Sequence, residues 1–295
     1  MTSADSDALF EDLLSSAARL SFDARDPAIF ADAKHDDRSH GMSPRWSPLY
    51  DTAAWRALPP DRQVLVTRAE VAQFLGVAIW LELLLQSALL RRHVNADPAR
   101  PDTRFLLHEC ADENMHSLMF VNAVAGIGAR FHRRDFSFTV FGWLFRYVAW
   151  REAVYGLVLA GEEIFDVMQR DWMADAEVAA AVRQTSYIHV VEESRHMQFA
   201  RRNIRDQLAG RSRLRRRVCA LIIAIGTHVI GKSLINRRVY EDLGLDWGTV
   251  KRAIDGNEHH RMMFRRAAEP LMDFLSREEL LDRGSRWIYR KSNLL

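Results

Sequence analysis

Residues 187–199 read Tyr187-Ile188-His189-Val190-Val191-Glu192-Glu193-Ser194-Arg195-His196-Met197-Gln198-Phe199. If this stretch is an α-helix, with about 100° between successive residues, Glu193 lies about 40° to one side of His189 and His196 about 20° to the other. Glu192 lies at the edge of the same face. Three side chains of metal-ligand type on one narrow stripe can converge on a cation, so this segment predicts a metal-binding helix.

A second pair of the same kind occurs earlier in the chain, at Glu113 and His116. Residues three apart are neighbours on a helix surface and can project together. Leu106 and Phe120 lie on the same side, which indicates that this face is buried. A carboxylate there is costly unless it is paired or coordinates a cation.

Two lone glutamates lie in equally apolar surroundings. Glu82 interrupts the apolar run 79–85, and Glu162 follows the apolar run 157–161. Glu70 is an alternative to Glu82 but has more polar neighbours. Glu163 is an alternative to Glu162, which has more of the apolar residues on its side of the helix.

Together these residues form a recognisable ligand set: one Glu from each of two helices and a Glu-x-x-His pair from each of two others. This is the ligand pattern of a four-helix di-iron carboxylate bundle. Oxygen and imidazole ligands suit iron, and manganese accepts the same set. The residues alone therefore predict two iron ions, or manganese, held by Glu82, Glu113, His116, Glu162, Glu193 and His196.

Long segments of good helix formers with few breakers follow residue 60. We predict helices near 62–95, 102–126, 138–174, 175–209, 213–243, 246–266 and 276–283. The predicted fold is all-α: a ferritin-like four-helix bundle core with extra C-terminal helices. Residues 1–60 are expected to be an irregular N-terminal lead-in and residues 61–295 a single helical domain.

Composition and charge limit which binding partners and which cellular compartment we expect. The 41 Lys and Arg against 39 Asp and Glu leave a net charge of +2, which does not favour nucleic acid. The apolar runs fall short of the roughly 20 residues that span a bilayer, so we expect no membrane partner. Two cysteines and no signal-peptide pattern favour the cytoplasm.

The segment 192–201, with His189 one turn before Glu193, resembles the AurF-like di-iron N-oxygenases, the p-aminobenzoate N-oxygenase family. The resemblance covers roughly residues 62–240. It implies a seventh ligand, a histidine one turn before the last Glu-x-x-His pair, and His189 occupies that position. The metal ligands that the resemblance implies are Glu82, Glu113, His116, Glu162, His189, Glu193 and His196, with no catalytic residue beyond them.

The same resemblance implies a monooxygenase of specialised metabolism, such as antibiotic biosynthesis. It would use dioxygen to convert an arylamine to hydroxylamine, nitroso and nitro products, and it would be a homodimer. The sequence has no flavin or nicotinamide fingerprint and too few cysteines for an iron–sulfur cluster. We therefore expect an external electron donor, a ferredoxin or a reductase, unless peroxide replaces dioxygen and electrons.

Three alternatives remain open from the residues. A di-iron fatty-acyl desaturase or hydroxylase would share the six-ligand pattern, although His189 argues against it. A ferritin-like iron-binding protein would share the fold but would normally be shorter. A helical interaction protein with a vestigial site would bind no metal.

Overall fold

The computed structural model describes residues 3–30, 37–133, 136–148 and 150–295. Within these ranges the chain forms α-helices, two short 3-10 turns and one isolated bridge between His40 and Val178, and no strand. The α-helices are α1 (Ser3–Arg19), α2 (Ala53–Arg56), α3 (Pro60–His93), α4 (Pro101–Gly126), α5 (Phe136–Val148), α6 (Arg151–Ala174), α7 (Ala180–Leu208), α8 (Arg213–Ser233), α9 (Arg237–Glu241), α10 (Trp247–Asp255), α11 (Glu258–Arg277) and α12 (Arg283–Lys291). The predicted all-α class is confirmed.

Four long helices form the core. α3 packs against α4, α4 against α7, α7 against α6 and α6 against α3, which closes a ring around one apolar interior. This is the ferritin-like arrangement that the sequence predicted. α8 and α11 pack on the outside of α6, α12 packs on α8, and α1 covers α4 and α7. The C-terminal helices are therefore an outer layer that supports the bundle.

Helix ends follow local capping chemistry. α3 and α4 each carry a proline in their first turn, where a missing N–H costs nothing. Asp246, Asn257 and Asp282 accept hydrogen bonds from backbone N–H groups at the starts of α10, α11 and α12.

Four of the predicted helical segments differ from the structure. The predicted helix 246–266 is two helices, because α10 ends at Asp255 and Asn257 caps the start of α11. The predicted helix 138–174 is two helices, because the backbone is extended at Trp150. The predicted helix 213–243 is interrupted before Asn236, which caps α9. The predicted helix 276–283 is wrong in position: α11 continues to Arg277, the chain then turns at Glu279, whose φ is 58°, and α12 begins at Arg283.

The N-terminal lead-in is not irregular throughout. α1 buries Phe10, Leu13, Leu14 and Ala17, a spacing that places all four on one helix face. The sequence carried this periodic signal, but the acidic residues around it obscured the pattern. Residues 31–36 of the predicted lead-in lie outside the described residues.

Two segments are long and apolar enough to cross a membrane by length and composition: Pro60–His93 and Arg213–Glu241. In the most apolar window of each, 56% and 39% of the residues are buried inside the protein. The first is a core helix that carries buried carboxylates, so length and composition are weak grounds for a membrane span.

Candidate metal centre

The four core helices bring the predicted ligands to one place in the bundle. All seven are buried, and Glu113 is the most exposed of them at 5%. α3 carries Glu82, α4 carries Glu113 and His116, α6 carries Glu162, and α7 carries His189, Glu193 and His196.

Two carboxylates lie between two imidazoles. His196 Nδ1 is 2.9 Å from Glu193 Oε1 and 3.4 Å from Glu113 Oε1. His116 Nδ1 is 3.2 Å from the same Glu193 oxygen and 3.3 Å from Glu113 Oε2. Glu113 and Glu193 therefore occupy positions from which they can bridge two cations, with one imidazole beside each.

His189 joins the lone glutamates to this group. Its Nε2 atom is 3.8 Å from Glu162 Oε2, 3.8 Å from Glu193 Oε1 and 4.0 Å from Glu82 Oε1. Three overlapping sets have ligand atoms within 4.8 Å of one another, and together they contain all seven residues: Glu113, His116, Glu193 and His196; Glu82, His116 and His189; and Glu162, His189 and Glu193.

Several of these oxygens need a partner that the described residues do not supply. Glu82 Oε1, Glu162 Oε2 and Glu193 Oε2 are buried and accept no hydrogen bond from the part of the chain that the structure describes. A buried carboxylate oxygen without a donor or cation is costly. Oxygen and imidazole donors in this number fit two iron or manganese ions.

An outer pair of carboxylates orients two of the imidazoles across the bundle. His116 Nε2 in α4 is 2.8 Å from Glu192 Oε2 in α7, and His196 Nε2 in α7 is 3.3 Å from Asp112 Oδ2 in α4. Arg195 Nη2 lies 3.7 Å from both acids. Each imidazole can thus donate its Nε2–H to a carboxylate and present Nδ1 to the centre.

The N-terminal segment contributes to this outer pair. The backbone N–H of Phe22 donates to Glu192 Oε1 over 3.1 Å. Glu192 is fully buried, so this hydrogen bond links the segment after α1 to an imidazole of the centre. No sequence pattern pointed to Phe22.

The pKa values of the carboxyl and imidazole groups in the cluster are strongly shifted. Burial raises the pKa of Glu82 and of Glu162 well above the ordinary value, and neighbouring carboxylates add to the effect. Burial opposes the charged form of His116 and His196, but their carboxylate partners outweigh it and raise both pKa values. Burial and the charge of His116 lower the pKa of His189 to about 4. When no cation is bound, the raised pKa values favour protonated groups, which reduces the net negative charge of the buried cluster.

The alternatives that the sequence left open lie elsewhere. Glu70 accepts hydrogen bonds from Ser47 Oγ at 3.1 Å and from Tyr240 OH at 2.9 Å. Glu163 pairs with Arg201, whose Nε is 2.9 Å away. Neither belongs to the three overlapping ligand sets, so the geometry favours Glu82 and Glu162.

A small cavity borders the cluster between α3, α4 and α6. Its volume is ≈ 10 Å³, about one water molecule. Three ligand carboxylates form one side, and the remaining walls are Leu85, Gln86, Leu89, Glu109, Cys110 and Val158. Burial raises the pKa of Glu109 to about 8. The cavity can therefore hold a molecule of about the size of water beside the cluster.

The fold and the site together define the class: a ferritin-like helical protein whose core holds a buried cluster of carboxylates and histidines able to bind metal. The chain belongs to the P-aminobenzoate N-oxygenase AurF family, because the family model matches residues 3–278. This is a di-iron oxygenase family. The match extends well beyond 62–240 and includes α1 and α11.

Two mycobacterial proteins are also similar to this chain. The uncharacterized protein Rv0885 of Mycobacterium tuberculosis (strain H37Rv) is 28% identical and aligns with 59% of this chain and 53% of its own length. The uncharacterized protein Mb0909 of Mycobacterium bovis gives the same values. The chain spans about half the length of these curated relatives.

Proposed function

We propose that the seven clustered residues hold two iron ions, with manganese as the alternative metal. The observation that carries this proposal is the convergence of four carboxylates and three imidazoles from four helices, with buried carboxylate oxygens that accept no hydrogen bond from the described residues. The ligands are Glu82, Glu113, His116, Glu162, His189, Glu193 and His196.

We further propose that the chain is a monooxygenase that uses dioxygen to N-oxygenate an arylamine to hydroxylamine, nitroso or nitro products. Bound ferrous iron would supply the redox chemistry toward dioxygen. The protein's own residues orient and insulate the site. Glu192 and Asp112 hold two imidazoles, while Leu85, Leu89 and Val158 limit the access of bulk water.

The remaining parts of the proposal follow from family membership and from the sequence. An external electron donor, a ferredoxin or a reductase, would re-reduce the iron between turnovers. The enzyme would act in the cytoplasm, as a homodimer, in a pathway of specialised metabolism such as antibiotic biosynthesis.

The direct test is turnover by the iron-loaded 295-residue chain. The protein is loaded anaerobically with ferrous iron, supplied with a chemical electron donor and exposed to dioxygen with a panel of arylamines. The products are identified by mass spectrometry. We expect mass gains of one or two oxygen atoms on nitrogen, and none with Glu193→Gln. Glu163→Gln, which changes a buried glutamate beside Glu162 but outside the cluster, is the matched control and should retain turnover.

Two outcomes would count against the proposed function. If iron-loaded protein consumes dioxygen but modifies no arylamine on nitrogen, the reaction assignment is wrong while the metal centre stands. If the well-folded protein binds neither iron nor manganese, the centre itself is wrong.

A further inference from the structure

The outward face of α5 is apolar and exposed. Val140, Trp143, Leu144 and Tyr147 follow the spacing of one helix face, and their exposed fractions are 44%, 61%, 52% and 48%. Trp150, two residues beyond the last residue of the helix, is 37% exposed. This is a continuous ridge of large apolar and aromatic side chains.

The opposite face of α5 is apolar as well, and it is used for packing. Phe138 and Phe145 are buried, and the ring of Phe138 lies 4.0 Å from that of Trp80 in α3. A side chain at Gly142 would collide with Trp80, which shows how closely the two helices approach. A helix that is apolar all round normally has an apolar medium on its second side too.

Arginines surround this ridge. Arg91 lies over the ring of Tyr147 at 4.6 Å, and Arg215 lies over the ring of Trp150 at 4.4 Å. Both arginines come from helices that pack against the ridge helix or the turn after it. At the start of α8, Arg213 is exposed beside Leu214, which is 72% exposed.

Carboxylates are missing from the sequence of the elements that form this face. Residues 83–93 of α3, 136–151 around α5 and 213–234 around α8 contain neither Asp nor Glu. The carboxylates that border these segments in sequence are Glu82, Asp135 and Glu152. Glu82 is buried in the candidate metal centre, and Glu152 is buried and accepts a hydrogen bond from Arg215 Nε at 2.6 Å. The face thus combines a Trp- and Tyr-rich ridge with positive charge that few carboxylates offset.

We propose that this face, which we call the α5 ridge, binds reversibly to the surface of an anionic lipid membrane. Tryptophan and tyrosine favour the interface between headgroups and acyl chains, and arginines beside them contact anionic headgroups. A second copy of the chain is the alternative occupant, and the experiment below separates the two. The prediction of no membrane partner was based on the length of the apolar runs, which bears on membrane-spanning helices and not on binding to a membrane surface.

Vesicle flotation with the full chain tests the proposal. The probes are vesicles of phosphatidylcholine alone and of phosphatidylcholine mixed with phosphatidylglycerol. We expect binding to the mixed vesicles that weakens with added salt. Trp143→Ser with Leu144→Ser, and separately Arg91→Glu with Arg213→Glu, should each reduce binding roughly tenfold or more. Trp287→Ser, at an equally exposed tryptophan on α12, is the control and should bind as wild type.

Circular dichroism and iron content, compared with wild type, show whether each variant is folded. If Trp143→Ser with Leu144→Ser misfolds, Arg91→Glu with Arg213→Glu still tests the proposal. Absence of binding to both kinds of vesicle would overturn the proposal. Equal binding to both kinds of vesicle, insensitive to the arginine changes, would also overturn it. A wild-type dimer that Trp143→Ser with Leu144→Ser converts to monomers, without vesicle binding, would assign the ridge to self-association instead.

Discussion

At the scale of single residues, the crossed pairing of outer carboxylates and imidazoles is the feature that the sequence left unresolved. Asp112 and Glu192 each directly precede the glutamate of a Glu-x-x-His pair. Within one helix Asp112 lies a turn from His116, yet it pairs with His196 across the bundle. The candidates were visible in the sequence, but their partners depend on how α4 and α7 pack.

The ligand assignment gives the first prediction. Glu193→Gln removes one negative charge from the carboxylate that lies closest to the Nδ1 atoms of both His116 and His196, so iron content should fall from about two ions per chain to about one or fewer. Glu163→Gln should leave it unchanged. Metal analysis of anaerobically loaded, desalted protein checks both, and equal iron content in the two variants would contradict the assignment.

The outer carboxylates give the second prediction. Glu192→Gln and Asp112→Asn keep the shape of each side chain but weaken the hold on one imidazole, so metal affinity should fall roughly 10- to 100-fold. Competition against a calibrated chelator measures the change. Glu269→Gln, on α11 away from the centre, serves as a control. If the variants bind metal as tightly as wild type, Glu192 and Asp112 do not affect metal binding through the imidazoles.

Proton balance gives the third prediction. The pKa values of Glu82, Glu162, His116 and His196 are all raised, which favours the protonated form of each group when no metal is bound. Metal binding must displace such protons, so protons should be released as the ions bind. Affinity should consequently rise with pH. A pH-stat titration with Mn²⁺ counts the protons, and loading without proton release would rule out this charge balance.

At the scale of helices, the N-terminal helix shows how a local signal can be overlooked. Phe10 packs edge-on against Phe199 of α7 with ring centroids 5.1 Å apart, so α1 covers the helix that supplies three predicted ligands. The spacing of its apolar residues was readable in advance. The break between α5 and α6 could not be predicted from the sequence, because no glycine or proline lies at Trp150. The position of this break depends on how the two helices pack against their neighbours.

Packing of α1 gives the fourth prediction. Phe10→Ala should lower the free energy of unfolding by about 3–5 kcal/mol, because Phe10 is buried and the change opens a cavity against α7. Leu20→Ala, at a residue 44% exposed just after the helix, should change it by less than about 0.5 kcal/mol. Urea unfolding of both variants gives the comparison, and equal stabilities would mean that α1 does not stabilise the bundle.

At the scale of the whole molecule, the long helices with buried carboxylates could be predicted from the sequence. A carboxylate inside an apolar run is costly unless it is paired or binds a cation, so it indicates a buried site. The ligand pattern predicted four ligand-bearing helices but not their order around the bundle, which the structure gives as α3, α4, α7 and α6. The outer layer could not be predicted in the same way. Helices α8 to α12 carry no shared ligand, and their placement depends on surface complementarity that a single sequence does not reveal.

The central claim is that one interior site in this bundle binds two metal ions. Anomalous diffraction at the iron edge, from crystals of the iron-loaded chain, tests it most directly. We predict two peaks within the ring of core helices, both between the carboxylates of Glu113 and Glu193 and within coordination distance of His116, His189 or His196. No interior peak, or peaks only at surface carboxylates, would contradict the account.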